Sequence, residues 1–214
     1  MLFMPKPHES HFALRFAGAA ALLCAVPFLA GCPDPQGEFD DFSARYEATK
    51  PPPVEAACGT TVQTVEGDFF FALAAKLSPK TPITFKAVVT TEADGMHFSI
   101  TPLDRMDRKT PIGDVAELGN YPIDADGNFT AAFPEMTIPG DANPITGSPI
   151  VATVSLSGAV CEDLICGDVS GTVTSPIMLD LAGGSTFTMV RVEGENYPEP
   201  PIINCAGDPA NPLN

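Results

Sequence analysis

From residue 67 onward, apolar and polar residues alternate in short runs divided by turn residues. The runs are "GDFFFALAAKL" (67–77), "TPITFKAVVTT" (81–91), "GMHFSITPL" (95–103), "YPIDADGNFTAAF" (121–133), "SPIVATVSLSGAV" (148–160), "CGDVSGTVTSPIMLDLA" (166–182) and "STFTMVRVEG" (185–194). A period of two places successive side chains on opposite faces of a strand, and Val, Thr and Ile suit such a half-buried pleated surface. Asp94-Gly95 and Asp126-Gly127 lie between alternating residues. A tight hairpin turn needs positive φ, which Gly and Asp tolerate, so both dipeptides predict hairpins. In this part of the chain only "GDVAELG" (113–119) predicts a helical turn. The pattern therefore predicts an all-β domain of seven to nine short strands. Long Pro-rich connections such as "PGDANPITGSP" favour an antiparallel β-sandwich with Greek-key, Ig-like crossings over a plain barrel.

The opening of the chain follows another pattern. Lys6 and Arg15 precede "FAGAAALLCAVPFLA" (16–30), fifteen positions without a charge. A membrane-spanning helix needs about 20 apolar residues, whereas the core of an export signal is shorter. Pro27 removes a backbone donor from this run and argues against a buried helix. The order Leu29-Ala30-Gly31-Cys32 resembles the lipobox of bacterial lipoproteins. That resemblance implies cleavage between Gly31 and Cys32, a diacylglycerol on the Cys32 sulfur and, usually, an acylated amino group. Two or three acyl chains anchor stably where one binds only marginally. It also implies a bacterial cell-envelope location. The outer membrane is favoured over the inner, because Asp34 stands one position beyond the residue that directly follows the cysteine. Four segments result: a signal (1–31), a tether (32–57), a β-domain (58–207) and a C-terminal tail (208–214).

Within the tether, Phe39, Phe42 and Tyr46 recur at helical spacing with charges between them, which predicts one short amphipathic helix. "KPPP" then ends the helix and favours an extended stalk. Removing residues 1–31 takes Lys6, Arg15 and Glu9 from totals of 11 basic and 27 acidic residues, leaving 9 and 26 and a net charge of −17. A surface this acidic lacks the basic patches that nucleic acid or anionic lipid requires. Cys24 leaves with the signal and Cys32 carries lipid, so Cys58, Cys161, Cys166 and Cys205 remain. An even number in an oxidising compartment predicts two disulfides. Of three possible connectivities, Cys161–Cys166 across "CEDLIC" and Cys58–Cys205 across the domain ends are favoured. Zinc held by cysteines is disfavoured, because no CxxC pair is present.

Several residues are candidates for chemistry. Asp124, Asp126 and Asn128 have the spacing of the first oxygen ligands of a calcium loop, with Glu135 at the twelfth position. The sixth position of such a loop must be glycine, yet Phe129 occupies it and Pro134 breaks the flank. A tight hairpin explains the same residues, so neither calcium nor another non-covalent cofactor is expected. His97 is the single histidine after the signal, and a hydrolase would have to centre on it with Ser and Asp partners. Ser185 in "GGSTF" reads as part of a hairpin tip, and no G-x-S-x-G elbow occurs. Asp40-Asp41 and Glu162-Asp163 read as solvated pairs in the tether and a loop tip. Arg105, Arg108 and Lys109 form the one basic cluster, a possible contact for an acidic partner, although Asp104 and Asp107 lie among them. With no Trp and three Tyr, a sugar platform is weakly supported. The sequence thus favours a non-catalytic envelope protein with a protein or polysaccharide partner, ahead of a carbohydrate- or peptide-binding module and a His97 hydrolase.

Overall fold

The computed structural model describes residues 35–49 and 58–213, and the chain divides into two units after Pro51. The expected signal, the expected Gly31/Cys32 cleavage point and lipid site at Cys32, and the expected proline stalk lie outside the described residues. In the first unit, helix α1 (Pro35–Thr49) forms where the aromatic spacing predicts it. Pro35 suits the first helical position, where no amide hydrogen bond is lost, and Glu38 in the first turn complements the helix dipole. Asp41 and Arg45 pair one turn apart, and Gln36 Nε2 donates to Asp40 Oδ1 at 3.0 Å. Phe39 and Phe42 are exposed.

The second unit is antiparallel β. Its strands are β1 (Gly67–Ala74), β2 (Ile83–Glu92), β3 (Gly95–Pro102), β4 (Ala116–Tyr121), β5 (Asn128–Ile138), β6 (Ile150–Val160), β7 (Leu164–Ser175), β8 (Leu179–Asp180) and β9 (Ser185–Arg191). They form one sheet in the order β4-β3-β2-β1-β9-β7-β6-β5, with β8 pairing β7. Almost every strand lies beside its neighbour in sequence, so the Greek-key crossings anticipated from the long loops do not occur. The 139–149 connection folds back on itself instead. Buried Asn143 donates to Thr146 Oγ1 and the Ser148 carbonyl and accepts from the Ile145 amide, which staples the loop locally. The "GDVAELG" turn is likewise corrected: Ala116 onward is strand, paired with β3.

One nine-stranded ladder also replaces the two facing sheets of a sandwich. It curls far enough to be nearly barrel-like around a single interior. Aromatic rings link its parts across that interior. Phe129 lies 6.1 Å from Phe187 and 6.3 Å from Phe98, while Phe98 lies 5.9 Å from Phe133. The edge strands β4 and β5 approach through side chains, with Tyr121 5.9 Å from Phe133 and its hydroxyl donating to the Ala132 carbonyl. Such ring pairs contribute roughly 0.5–1.5 kcal/mol each beyond the area they bury.

The continuous apolar run of β1 has a specific cause. Phe69, Phe71 and Leu73 face the interior, while Phe70, Ala72 and Ala74 are buried on the outer face. There the chain after residue 196 crosses back over the sheet. Tyr197 stacks on Phe70 at 4.9 Å, and Ile203 and Ala210 cover Ala74. Thr186 and Thr188 donate to the Ile203 and Ile202 carbonyls, each at 2.6 Å. Residues 208–213, set apart above as a tail, belong to this cover. Asn211 donates its amide to the Lys80 carbonyl, and Ala210 to that of Pro201.

Candidate functional site

The two ends of the sheet carry different groups. Short turns between β2 and β3, β4 and β5, and β6 and β7 make one end. Longer connections after β1, β3 and β5, with the brief β7–β8 link, make the other.

At the turn end, Glu92 and His97 stand on the outward face. Thr90 pairs with His97 and Glu92 with Gly95, so the two side chains are diagonal neighbours. The tight Ala93-Asp94 turn returns Asp94 toward the ring, and His97 Nε2 lies 2.9 Å from Asp94 Oδ1. This hydrogen bond raises the His97 pKa above its ordinary value, and its counterpart lowers that of Asp94. The other ring nitrogen, Nδ1, lies over Gly119, where an added Cβ would fall 2.2 Å away. A register shift in β4 between the partners of Met96 and Phe98 puts Gly119 and Asn120 opposite His97, and Asn120 has φ 67°. A bulge of this kind re-aims side chains at sheet rims. Open polar depressions flank the tip, one bordered by His97, Glu117 and Asn120, the other by Gln63, Glu92 and Asp94.

This geometry does not assemble a serine triad. The His97 ring hydrogen-bonds Asp94 through Nε2, with Gly119 on the other side. Ser185 begins β9 at the opposite end of the sheet, fully buried, and its hydroxyl accepts the Lys76 amide at 3.0 Å.

The residues of the apparent calcium loop are engaged differently. Asp124 Oδ1 accepts the Asp126 and Asn128 amides at 2.9 and 2.8 Å, closing the β4–β5 turn. The amide bond from Asn128 is the main reason its pKa falls below the ordinary carboxylate value. Among the described residues, Asp124, Asp126 and Glu135 do not form a group of closely spaced ligands.

The basic cluster is also partly internal. Arg108 is buried, with φ 52°, and donates to Glu199 Oε1 at 2.6 Å and to the Asn211 carbonyl at 3.1 Å. Arg105 donates to the Gly140 carbonyl at 2.8 Å, whereas Lys109 is exposed. Two of the three cations therefore tie loops to the domain. Of the acidic pairs, Asp41 meets Arg45 on α1, and Asp163 meets Arg191 at 3.0 Å.

All four cysteines pair, but not as favoured. The bonds are Cys58–Cys161 and Cys166–Cys205. Ala159 faces Cys166 and Val160 faces Ile165 across the β6–β7 hairpin, which makes Cys161 and Cys166 a diagonal pair. Diagonal positions are about 7–8 Å apart, beyond the roughly 4.4–6.8 Å that separates the Cα atoms of a disulfide. Cys161 instead meets the segment leading into β1, and Cys166 meets the covering C-terminal segment.

At the loop end the interior opens through an apolar mouth, a cavity of about 60 Å³. Leu77, Ile145, Ile177 and Leu179 help to line it, and Leu77 and Ile177 are exposed at its rim. Neither this mouth nor the role of Glu92 was anticipated. The Glu92 signal was present in its distance from His97 across an Asp-Gly turn. The mouth draws on residues from seven separate stretches, which no local pattern joins. Comparison with protein families, curated proteins and solved structures finds no match for this chain.

Proposed function

We propose that this chain is a lipid-anchored envelope protein with a non-catalytic binding or structural role. Its β-domain is held off the membrane and presented to a protein or polysaccharide of the envelope. The observation that carries this reading is the pairing of all four cysteines after residue 57, which is compatible with an oxidising compartment outside the cytosol. The lipobox-like Leu29–Cys32 sequence supplies the route there. The test is metabolic labelling with a fatty-acid analogue in a bacterial host, followed by membrane fractionation. The wild-type chain takes up label and sediments with membranes, and Cys32→Ser does neither. A Cys32→Ser protein that is still cut before residue 32 and still membrane-bound would overturn the proposal.

The apolar mouth favours a second reading, a peptide-binding module that accepts an aliphatic side chain. Its lining has no aromatic residue, as a sugar platform would need, and about 60 Å³ is far below the roughly 150 Å³ that holds a benzene ring. Ile177→Asp at the exposed rim abolishes capture of an envelope partner on this reading. Unchanged crosslinking in native membranes would rule it out.

A further inference from the structure

We propose that the β2–β3 hairpin tip is a zinc site, with Glu92, Asp94 and His97 as its protein ligands and water completing the shell. One ligand atom from each residue lies within 4.8 Å of the other two, the only such group among the described residues. Zinc binds imidazole nitrogen and carboxylate oxygen at about 2.0–2.2 Å in a tetrahedron, which places two ligands about 3.4 Å apart. The 2.9 Å His97–Asp94 contact has to widen by only about half an ångström. Glu92 and Asp94 are exposed, so their carboxylates can rotate to this spacing, closing separations of up to 4.8 Å within the group. The ion takes the place of the proton now shared between Nε2 and Oδ1.

Three features make this more than a chance meeting of exposed side chains. First, the strand register fixes Glu92 and His97 on one face, and the turn returns Asp94 to the same face. Second, the imidazole is seated. The β4 bulge and the missing side chain at Gly119 create the space the ring occupies, and its Nε2 points to the hairpin tip. Third, the donor set disfavours calcium and admits zinc. Calcium needs six to eight oxygens, while one imidazole with two carboxylates suits zinc and leaves a position for water or a partner's donor. The net negative charge of the chain raises the local cation concentration as well. None of this depends on lipidation.

The experiment uses the full chain carrying His8→Gln and His11→Gln, so that His97 is its only imidazole. After treatment with chelator and its removal, the protein is titrated calorimetrically with zinc chloride. One equivalent binds. His97→Gln and Glu92→Gln each weaken binding at least about tenfold, on the scale seen when even a supporting residue of a metal site is lost. Glu135→Gln, an exposed carboxylate on β5, leaves it unchanged. Gly119→Val keeps every ligand but displaces the ring, so it also weakens binding. Far-UV circular dichroism of each variant separates loss of ligand from loss of fold. Absence of a one-equivalent event, survival of binding in His97→Gln, or an equal loss in Glu135→Gln overturns the proposal.

Discussion

The turn end and the loop end of the sheet solve the same problem, holding exposed chain in place, by opposite means. At the turn end the connections are short, and polar side chains do the holding. Asp124 caps one turn, Asp94 and His97 clasp another, and Arg191 reaches the Glu162 carbonyl and Asp163 on a third. These groups stand in solvent, where an ion pair contributes only about 0–1 kcal/mol. At the loop end the connections are long and the ties are buried: Arg108 with Glu199, and Asn143 within its own loop. Charge at the turn end is therefore exposed to a ligand, whereas the buried Arg108 at the loop end is already committed to the fold. What the loop end offers a ligand is apolar surface.

The disulfides give the largest expected effect. Cys58–Cys161 secures the turn end across 103 residues and Cys166–Cys205 secures the outer cover across 39. By loop entropy alone, they contribute about 5 and about 4 kcal/mol. Equilibrium denaturation of the paired Cys→Ser variants tests this order. A larger loss from Cys166–Cys205 would show that the cover, not the turn end, limits stability.

Next comes Arg108→Met. Removing one partner of a buried pair costs about 3–5 kcal/mol, and the partial exposure of Glu199 places the expected loss at or below the lower figure. The same substitution at exposed Lys109 changes stability by less than about 0.5 kcal/mol. Similar losses at the two sites would mean that the buried Arg108–Glu199 tie does not hold the loop end.

Leu181→Ala, beneath the mouth at 2% exposure, is expected to cost about 2–4 kcal/mol if the walls stay in place. A smaller loss in thermal melts would show that the mouth collapses around the gap.

The smallest effect concerns pH. The Asp124 pKa is lowered in the folded protein, so its contribution is present above the unfolded carboxylate value and fades as pH falls through the lowered folded one. Asp124→Ala lowers the melting temperature at neutral pH. Below the folded value the two proteins converge. A constant gap across the acid range would mean that the carboxylate charge is not what closes the turn.

Local features were the legible ones. Phe39 and Phe42 marked α1, and Asp94-Gly95 and Asp126-Gly127 marked two hairpins, because each depends on residues a few positions apart. Inward alternation in β3, from Met96 through Phe98 to Ile100, was equally direct. The failures share a different cause. β4 is short and carries Glu117, Gly119 and Asn120, so its alternation is too weak to outweigh an apparent helical turn. The cysteine partners were decided by which segments cross, and pairing across a hairpin appeared favourable only until register was known. Of the candidate site, His97 and its strand were legible. Glu92 needed the pairing register, and Gly119 needed the bulge in the neighbouring strand. Arg108 illustrates the limit most clearly: its partner Glu199 lies 91 residues away, in a segment that covers the domain instead of trailing from it.

The neighbour of β1 on one side is β2, which follows it directly, but on the other side it is β9. Phe69 through Ala74 thus pair with residues more than a hundred positions later. A chain that becomes available amino end first cannot complete the pairing of its first strand until nearly the whole polypeptide has been made. Early hairpins such as β2–β3 can form first, but closure waits for the last strand, and contacts of such long sequence separation form slowly. The fold carries a built-in delay: the sheet stays incomplete until nearly the whole chain is available.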